Sequence, residues 1–265
     1  MPTITNTLTN AEYRAADAIS KSDLDLVNKS PDLLEWVRNA PNGDCTSTEV
    51  IGTATHSAIL EPDLFRLEYI RQPNFNLRTN QGKADAAAFV EANKNNTVLS
   101  ADDFDMVIAM RDSVLAHPLA NKLLTSAGQS EASIFFDVDG IKCKCRPDRI
   151  VDPGVLGCHI IADVKTTDDI DKFHWSIRDY RYHVQDAYYS EGYRQLTGES
   201  PRFLFVVVGK KRVFGRHPVR VFELTQDDKD EGRAEFMADL ERYQEFKAFG
   251  GGFEPEVIRM AKSYK

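Results

Sequence analysis

Two carboxylates and an amine stand in a stretch that otherwise reads as buried sheet. In KCKCRPDRIVDPGVLGCHIIADVKTTDD, residues 142–169, Asp148 and Asp163 lie fifteen positions apart, and Lys165 follows the second after one apolar residue. Successive side chains of a strand alternate faces, so HIIADVK turns Ile160, Ala162 and Val164 one way and Ile161, Asp163 and Lys165 the other. Asp163 and Lys165 then lie roughly 7 Å apart along the strand. In IKCKCRPD the same alternation groups Ile141, Cys143 and Cys145 on an apolar face and Lys142, Lys144, Arg146 and Asp148 on the other, subject to distortion at Pro147. If the two strands are neighbours, the acids meet at their ends, where they repel unless a cation lies between them. A hard divalent ion with oxygen ligands, such as Mg²⁺, would resolve that repulsion. The alternative is an ion-pair network, Asp148 with Arg146 or Arg149 and Asp163 with Lys165.

Elements must bring these groups together. The first 125 residues or so read mostly helical. Ser22 is placed to cap a helix carrying Leu24, Leu26 and Val27, and Pro31 to start the next, with Leu33, Leu34, Trp36 and Val37 as its apolar set. Residues 48–60 have helical spacing, the polar loop RQPNFNLRTNQGK follows at 71–83, and two more helices are predicted near 83–94 and 101–116, the second capped by Ser100. Near residue 131 the pattern changes. EASIFFDVDG and IKCKCRPDRI form a hairpin turned at Asp139-Gly140, GCHIIADVK is a third strand, and 178–196 a long helix. PRFLFVVVG is a strand covered on both faces, VRVFEL an edge strand, and 226–247 a charged helix. The expected fold is α/β (α+β): a central mixed sheet flanked by helices. The expected organisation is one domain over 1–265, with a helical part to about 125, a sheet core at about 130–225 and C-terminal helices over about 226–265.

Composition sets limits. Hydrophobic residues make up 42% and charged residues 28% of the 265, ordinary values for a globular chain. No apolar run is long enough to cross a bilayer, and the polar start MPTITNTLTNAEYR shows no secretory leader. Both point to the cytoplasm and away from a membrane. The formal charge of −8 argues weakly against a surface that coats nucleic acid at large, without excluding a local basic channel.

Pro147-Asp148 followed by Asp163-Val164-Lys165 resembles the PD-(D/E)xK nuclease motif. Together, GTATHSAILEP, CRPDRI, DVKTTDDI and YRYHVQDAYYSEGY resemble the RecE (exonuclease VIII) nuclease domain family, from about Ser20 to the C-terminus. The resemblance implies a restriction-endonuclease-like core and a role for each matching residue. Asp148 and Asp163 would bind the metal, helped by the backbone carbonyl of Val164, with His56 as a further ligand. Lys165 would hold or deprotonate the attacking water. Gln185 and Tyr189 would orient Lys165, the water or the scissile phosphate. As an i, i+4 pair they share one helix face, which Tyr182 extends. Each has a plainer reading: His56 as a hydrogen-bonded near-core histidine, Tyr189 as a packing group. Glu131, at the start of the hairpin, is either another active-site acid or a solvated strand-end glutamate.

The implied activity is Mg²⁺-dependent digestion of linear double-stranded DNA from 5′ ends, with Mn²⁺ as a substitute. It would release 5′-mononucleotides and leave a 3′ single strand for a RecT-like annealing partner. The implied assembly is a ring-shaped homotetramer, whose basic lumen would reconcile DNA binding with the acidic balance. Such domains occur alone and as C-terminal pieces of longer chains. The rival readings are a structure-specific or restriction-type endonuclease and a non-catalytic DNA-binding module. Beyond the metal site, Arg78 and Lys83 could grip phosphates, while Lys144 and Arg146, on the Asp148 face, could line the channel. Cys143 and Cys145 read as buried hydrophobes rather than iron–sulfur ligands.

Overall fold

A computed structural model describes residues 1–40 and 46–250. Cys45 and the helical expectation for 251–265, with Lys262 and Lys265, lie outside the described residues. The chain opens with β1 (Thr3–Thr5), α1 (Asn10–Ala15), α2 (Lys21–Lys29), α3 (Pro31–Asn39), α4 (Ser47–Leu60) and α5 (Pro62–Glu68). A small parallel pair, β2 (Tyr69–Arg71) and β3 (Thr97–Leu99), brackets α6 (Asn80–Ala92). Then come α7 (Ala101–Ala116), α8 (Pro118–Thr125), β4 (Gly128–Ser130), β5 (Ser133–Val138), β6 (Ile141–Cys145) and β7 (Arg149–Val151). The remainder is α9 (Pro153–Leu156), β8 (Ile160–Thr167), α10 (Phe173–Asp179), α11 (Tyr182–Thr197), β9 (Arg202–Gly209), β10 (Val219–Phe222) and α12 (Gln226–Ala248).

The central sheet runs β10-β9-β8-β7-β4, with β8 and β9 parallel and the other pairs antiparallel. Period-2 alternation builds its two faces. Phe203, Phe205 and Val207 of β9 join Ile161 of β8 in a core with α11 and α12; Leu204, Val206 and Val208 join Ile160, Ala162 and Val164 in a second core with α4 and α7. Each fully buried Phe or Val contributes about 1.5–3 kcal/mol, so strand register is firmly fixed. The mixed sheet flanked by helices is the expected architecture.

Three local expectations are corrected. Ser20, not Ser22, caps α2: its side chain accepts from the Asp23 N–H, and the Asp23 carboxylate accepts from the Ser20 N–H at 2.7 Å, a reciprocal box that Ser22 cannot make. IKCKCRPDRI is not one strand. It breaks at Pro147, which has no N–H for a ladder; β6 stays in a separate three-stranded sheet with β1 and β5, and β7 enters the central one. The helix expected from 178 begins at Tyr182, because Arg181 stands at φ +52°, held by Asp25, Glu235 and Asp239. The β5–β6 turn lies at Asp139-Gly140 as expected, both at positive φ.

Candidate active site

The strand break at Pro147 sets the position of Asp148. Arg149 pairs with Ala162 across the antiparallel β7–β8 ladder, and one more step of that register faces Asp148 toward Asp163. Both acids are buried, Asp163 to 1% exposure. The Val164 N–H donates to Asp148 Oδ2 at 2.7 Å, and His56 Nδ1, brought by α4, lies 3.3 Å from the same oxygen. From α11, Gln185 Nε2 donates to Asp163 Oδ1 at 2.6 Å. Lys165 Nζ lies 2.6 Å from Asp163 Oδ2 and 4.8 Å from the centre of the Tyr182 ring. Tyr189, one turn past Gln185, lines the same cleft and packs edge-on against Phe203.

The electrostatics follow from burial. Loss of water and then the charge of Asp163 push the Asp148 carboxyl up to about 6, against His56, Lys165 and the Val164 N–H. Burial and Asp148 push Glu131 up to about 8. Burial pulls Lys165 down, but Asp163 and Asp148 outweigh it and hold the amine above its ordinary value. Held this way, the Lys165 ammonium is placed to donate to an oxygen. Glu131 is half-buried at φ +50°, with its N–H donating to the Asp148 carbonyl at 3.1 Å. Glu61, at the end of α4, adds a charge that also raises Glu131. The sequence reading missed Glu61. Its only signal was its place one helical turn and a residue beyond His56.

These shifts give a pH prediction for the metal-free protein. The folded state binds the Asp148 proton more tightly than the unfolded state, where the carboxyl keeps its ordinary value of 3.8. That contribution is full below the ordinary carboxyl value and is lost as pH rises through about 6. Melting curves in EDTA should therefore fall over this window, and Asp148→Asn should flatten the fall. A flat wild-type profile would contradict the assignment.

The donor set suits a divalent cation. Asp163 Oδ2 is buried without a directed hydrogen bond, its close neighbour being the Lys165 ammonium. Among the described residues no three His, Cys, Asp or Glu side chains converge into a ready-made cage. Asp148 faces His56, and Asp163 faces Lys165. Mg²⁺ commonly takes one or two carboxylates and fills its shell with water and substrate oxygens, so an incomplete protein shell fits it. Of Val164, the group seen on Asp148 is the N–H.

Two clefts meet at Lys165 and Tyr182. One, about 990 Å³, includes Gln185, Tyr189, Lys21 and Arg181; the other, about 800 Å³, includes His56, Trp175, Lys172 and Lys210. Four expected DNA contacts lie elsewhere. Lys144 and Arg146 do not line a channel. Lys144 Nζ donates to the carbonyls of Tyr13, Arg14 and Ala16, and Arg146 bonds Ser133, Asn10 and the Leu8 carbonyl. Both are buried, because the N-terminal segment covers the polar face of β6. Arg78 and Lys83 are exposed at the start of α6, and neither lines the two clefts. Cys143 and Cys145 are buried free thiols.

Residues 36–256 match a family described as a PDDEXK-like domain of unknown function, DUF3799. The chain belongs to this family. PDDEXK-like nucleases typically use divalent metals, in keeping with the paired acids. Among solved structures, a putative exonuclease from Eubacterium rectale superposes with a TM-score of 0.64 at 15% identity, covering 98% of this chain and 97% of that one. At that identity the likeness speaks to the fold. The structure of SSO0001 aligns at a TM-score of 0.29 and 14% identity over 82% of this chain and 84% of that one. No curated protein matches. Membership of the DUF3799 family supports a nuclease and leaves its polarity open. Among the described residues no helix is long and apolar enough to cross a membrane.

Proposed function

We propose that this DUF3799 chain is a divalent-metal-dependent exodeoxyribonuclease that digests linear duplex DNA from 5′ ends, with Mg²⁺ as the working ion. One observation carries the hydrolytic reading: Asp148, Asp163, Lys165, His56 and Gln185, from three separate parts of the chain, converge where the start of β7 meets the middle of β8. The exonuclease reading draws support from the structural neighbour's name, and its polarity from the RecE resemblance. A ring-shaped tetramer, a RecT-like annealing partner, release of 5′-mononucleotides and a cytoplasmic setting belong to the same reading.

Asp148 and Asp163 would hold the metal. When bound, it would supply charge neutralisation at the phosphoryl oxygens and a more acidic water. Gln185 fixes the Asp163 carboxylate through Oδ1, which directs Oδ2 toward Lys165. The Lys165 ammonium can donate to an attacking water or a phosphoryl oxygen, offsetting charge in the transition state. Tyr182 lies beneath that ammonium and restricts its swing. His56 faces Asp148 and keeps one carboxylate oxygen occupied on the α4 side.

Duplexes labelled separately at 5′ and 3′ ends test the reading. With Mg²⁺, the 5′ label should appear first as mononucleotide while the 3′-labelled strand stays long, and closed circles should survive. Nicking of circles would replace it with the endonuclease reading, and early loss of the 3′ label would reverse the polarity.

A further inference from the structure

The β9–β10 connection, KKRVFGRHP, has a composition that structure alone does not require. From Pro201 to Phe222 the chain carries no acidic residue, although its net charge is −8. Lys210 and Arg220 are paired, with Asp168 and Asp171. Lys211, Arg212 and Arg216 are exposed, and among the described residues none has an acidic partner. At the tip, Val213 and Arg216 exchange backbone hydrogen bonds at 2.8 and 3.1 Å around Phe214 and Gly215. Both tip residues have positive φ, +50° and +78°. Gly suits such a turn, and Asn or Asp would suit the position Phe214 occupies. Phe214 is instead fully exposed, at 102%. A bulky aromatic here is disfavoured twice, by backbone strain and by hydration of its ring, and such conflicts concentrate at functional positions.

The hairpin is also braced and aimed. Buried His217 bridges the Gly209 carbonyl, 2.8 Å from Nδ1, and Arg212 Nε, 3.2 Å from Nε2. The Gly209 N–H donates to the Pro218 carbonyl at 2.9 Å. At its base Gly209 is in register with Thr167, two residues beyond Lys165, and the Lys210 N–H donates to the Thr167 carbonyl at 2.8 Å. Lys210 lines the same cleft as His56 and Lys165. The prong thus rises from the rim of the candidate active site.

We infer that this hairpin engages duplex DNA at its end: Phe214 wedges into the terminal stack and unstacks the end pair, while Lys211, Arg212 and Arg216 hold backbone phosphates. The assignment deepens the nuclease reading and rests on it. Cations around an exposed aromatic match a nucleic-acid surface, in which phosphates supply affinity and a ring finds a base plane.

The test uses the full chain with Ca²⁺ in place of Mg²⁺, and blunt duplexes carrying 2-aminopurine in the terminal pair. Wild type should bind and raise the fluorescence as the end unstacks. Lys211→Ala/Arg212→Ala/Arg216→Ala should weaken binding at least about tenfold and lower the slope of log K against log salt by about 2–3, near one per phosphate contact. Phe214→Ala should abolish the fluorescence rise with little change in salt slope, and should slow digestion of the same duplex in Mg²⁺ about tenfold. Phe214→Gly relieves the turn and should melt no lower than wild type, yet lose the same signal. Wild-type binding, fluorescence and digestion in these variants would overturn the proposal. So would a lower oligomeric state on sedimentation of Phe214→Ala with DNA signals unchanged, which would make the ring a contact between copies. If hairpin variants digest like wild type, only this inference fails. If wild type neither binds nor digests duplex, the nuclease reading falls with it.

Discussion

Asp163→Ala and Lys165→Ala should each reduce metal-dependent loss of linear duplex by at least about a thousandfold, which corresponds to about 4 kcal/mol of transition-state stabilisation. The two variants should fail for different reasons. Asp163 provides a buried carboxylate oxygen, so its removal should also abolish Mn²⁺ binding measured by calorimetry. Lys165 competes with a cation for that oxygen, which lies 2.6 Å from its ammonium. Lys165→Ala should therefore bind Mn²⁺ at least as tightly as wild type and still not cut. Far-UV circular dichroism should show both variants folded. Full digestion by either purified variant would remove the catalytic assignment. Loss of Mn²⁺ binding in Lys165→Ala would mean that the amine supports the site in some other way.

A large stability effect is expected behind the site, at Gly232. This residue is buried in α12 where that helix crosses α11. A methyl group there would lie 2.2 Å from the His183 carbonyl oxygen and 2.5 Å from its carbon, both backbone atoms that cannot swing aside. Gly232→Ala must therefore push the helices apart. Overpacking of this kind costs about 3 kcal/mol, or roughly 5–10 °C in melting temperature for a chain of this size. Gln185 lies two residues beyond His183, so the shift should also disturb the Asp163 contact and lower activity at temperatures where the protein is folded. Gly157→Ala is the control. It sits at φ +72° with open space around its Cβ position, so it should cost only about 1 kcal/mol and leave activity intact. Equal melting temperatures for the two variants would contradict the packing argument.

How far these features could be read from sequence depended on the range of the interaction. The face shared by Asp163 and Lys165 came from strand alternation alone, and the face shared by Gln185 and Tyr189 from helical spacing, both local and periodic; that Gln185 reaches the acids came only from the resemblance. Ser20 was missed as a cap because Ser22 has the same chemistry two positions away, and only the reciprocal bond with Asp23 separates them. The sheet switch at Pro147 was legible as distortion, but its consequence was not, because the partner strand is chosen by the whole core. Alternation correctly placed Lys144 and Arg146 on the polar face of β6. It could not show that residues 8–16 lie across that face and take up their donors. Such contacts join positions more than a hundred residues apart, and nothing in local spacing encodes them. Phe214 drew no notice for the opposite reason: a phenylalanine near a strand reads as core until its turn geometry is known.

The account depends on Asp148 and Asp163 sharing one divalent cation. Crystals of wild type grown or soaked with Mn²⁺, with data collected at a wavelength where manganese scatters anomalously, test this directly. The expected result is an anomalous peak between the two carboxylates, about 2.0–2.3 Å from an oxygen of each, and absent in Asp163→Ala crystals. A protein that digests duplex in Mn²⁺, yet whose crystals place manganese only at other residues, would contradict it.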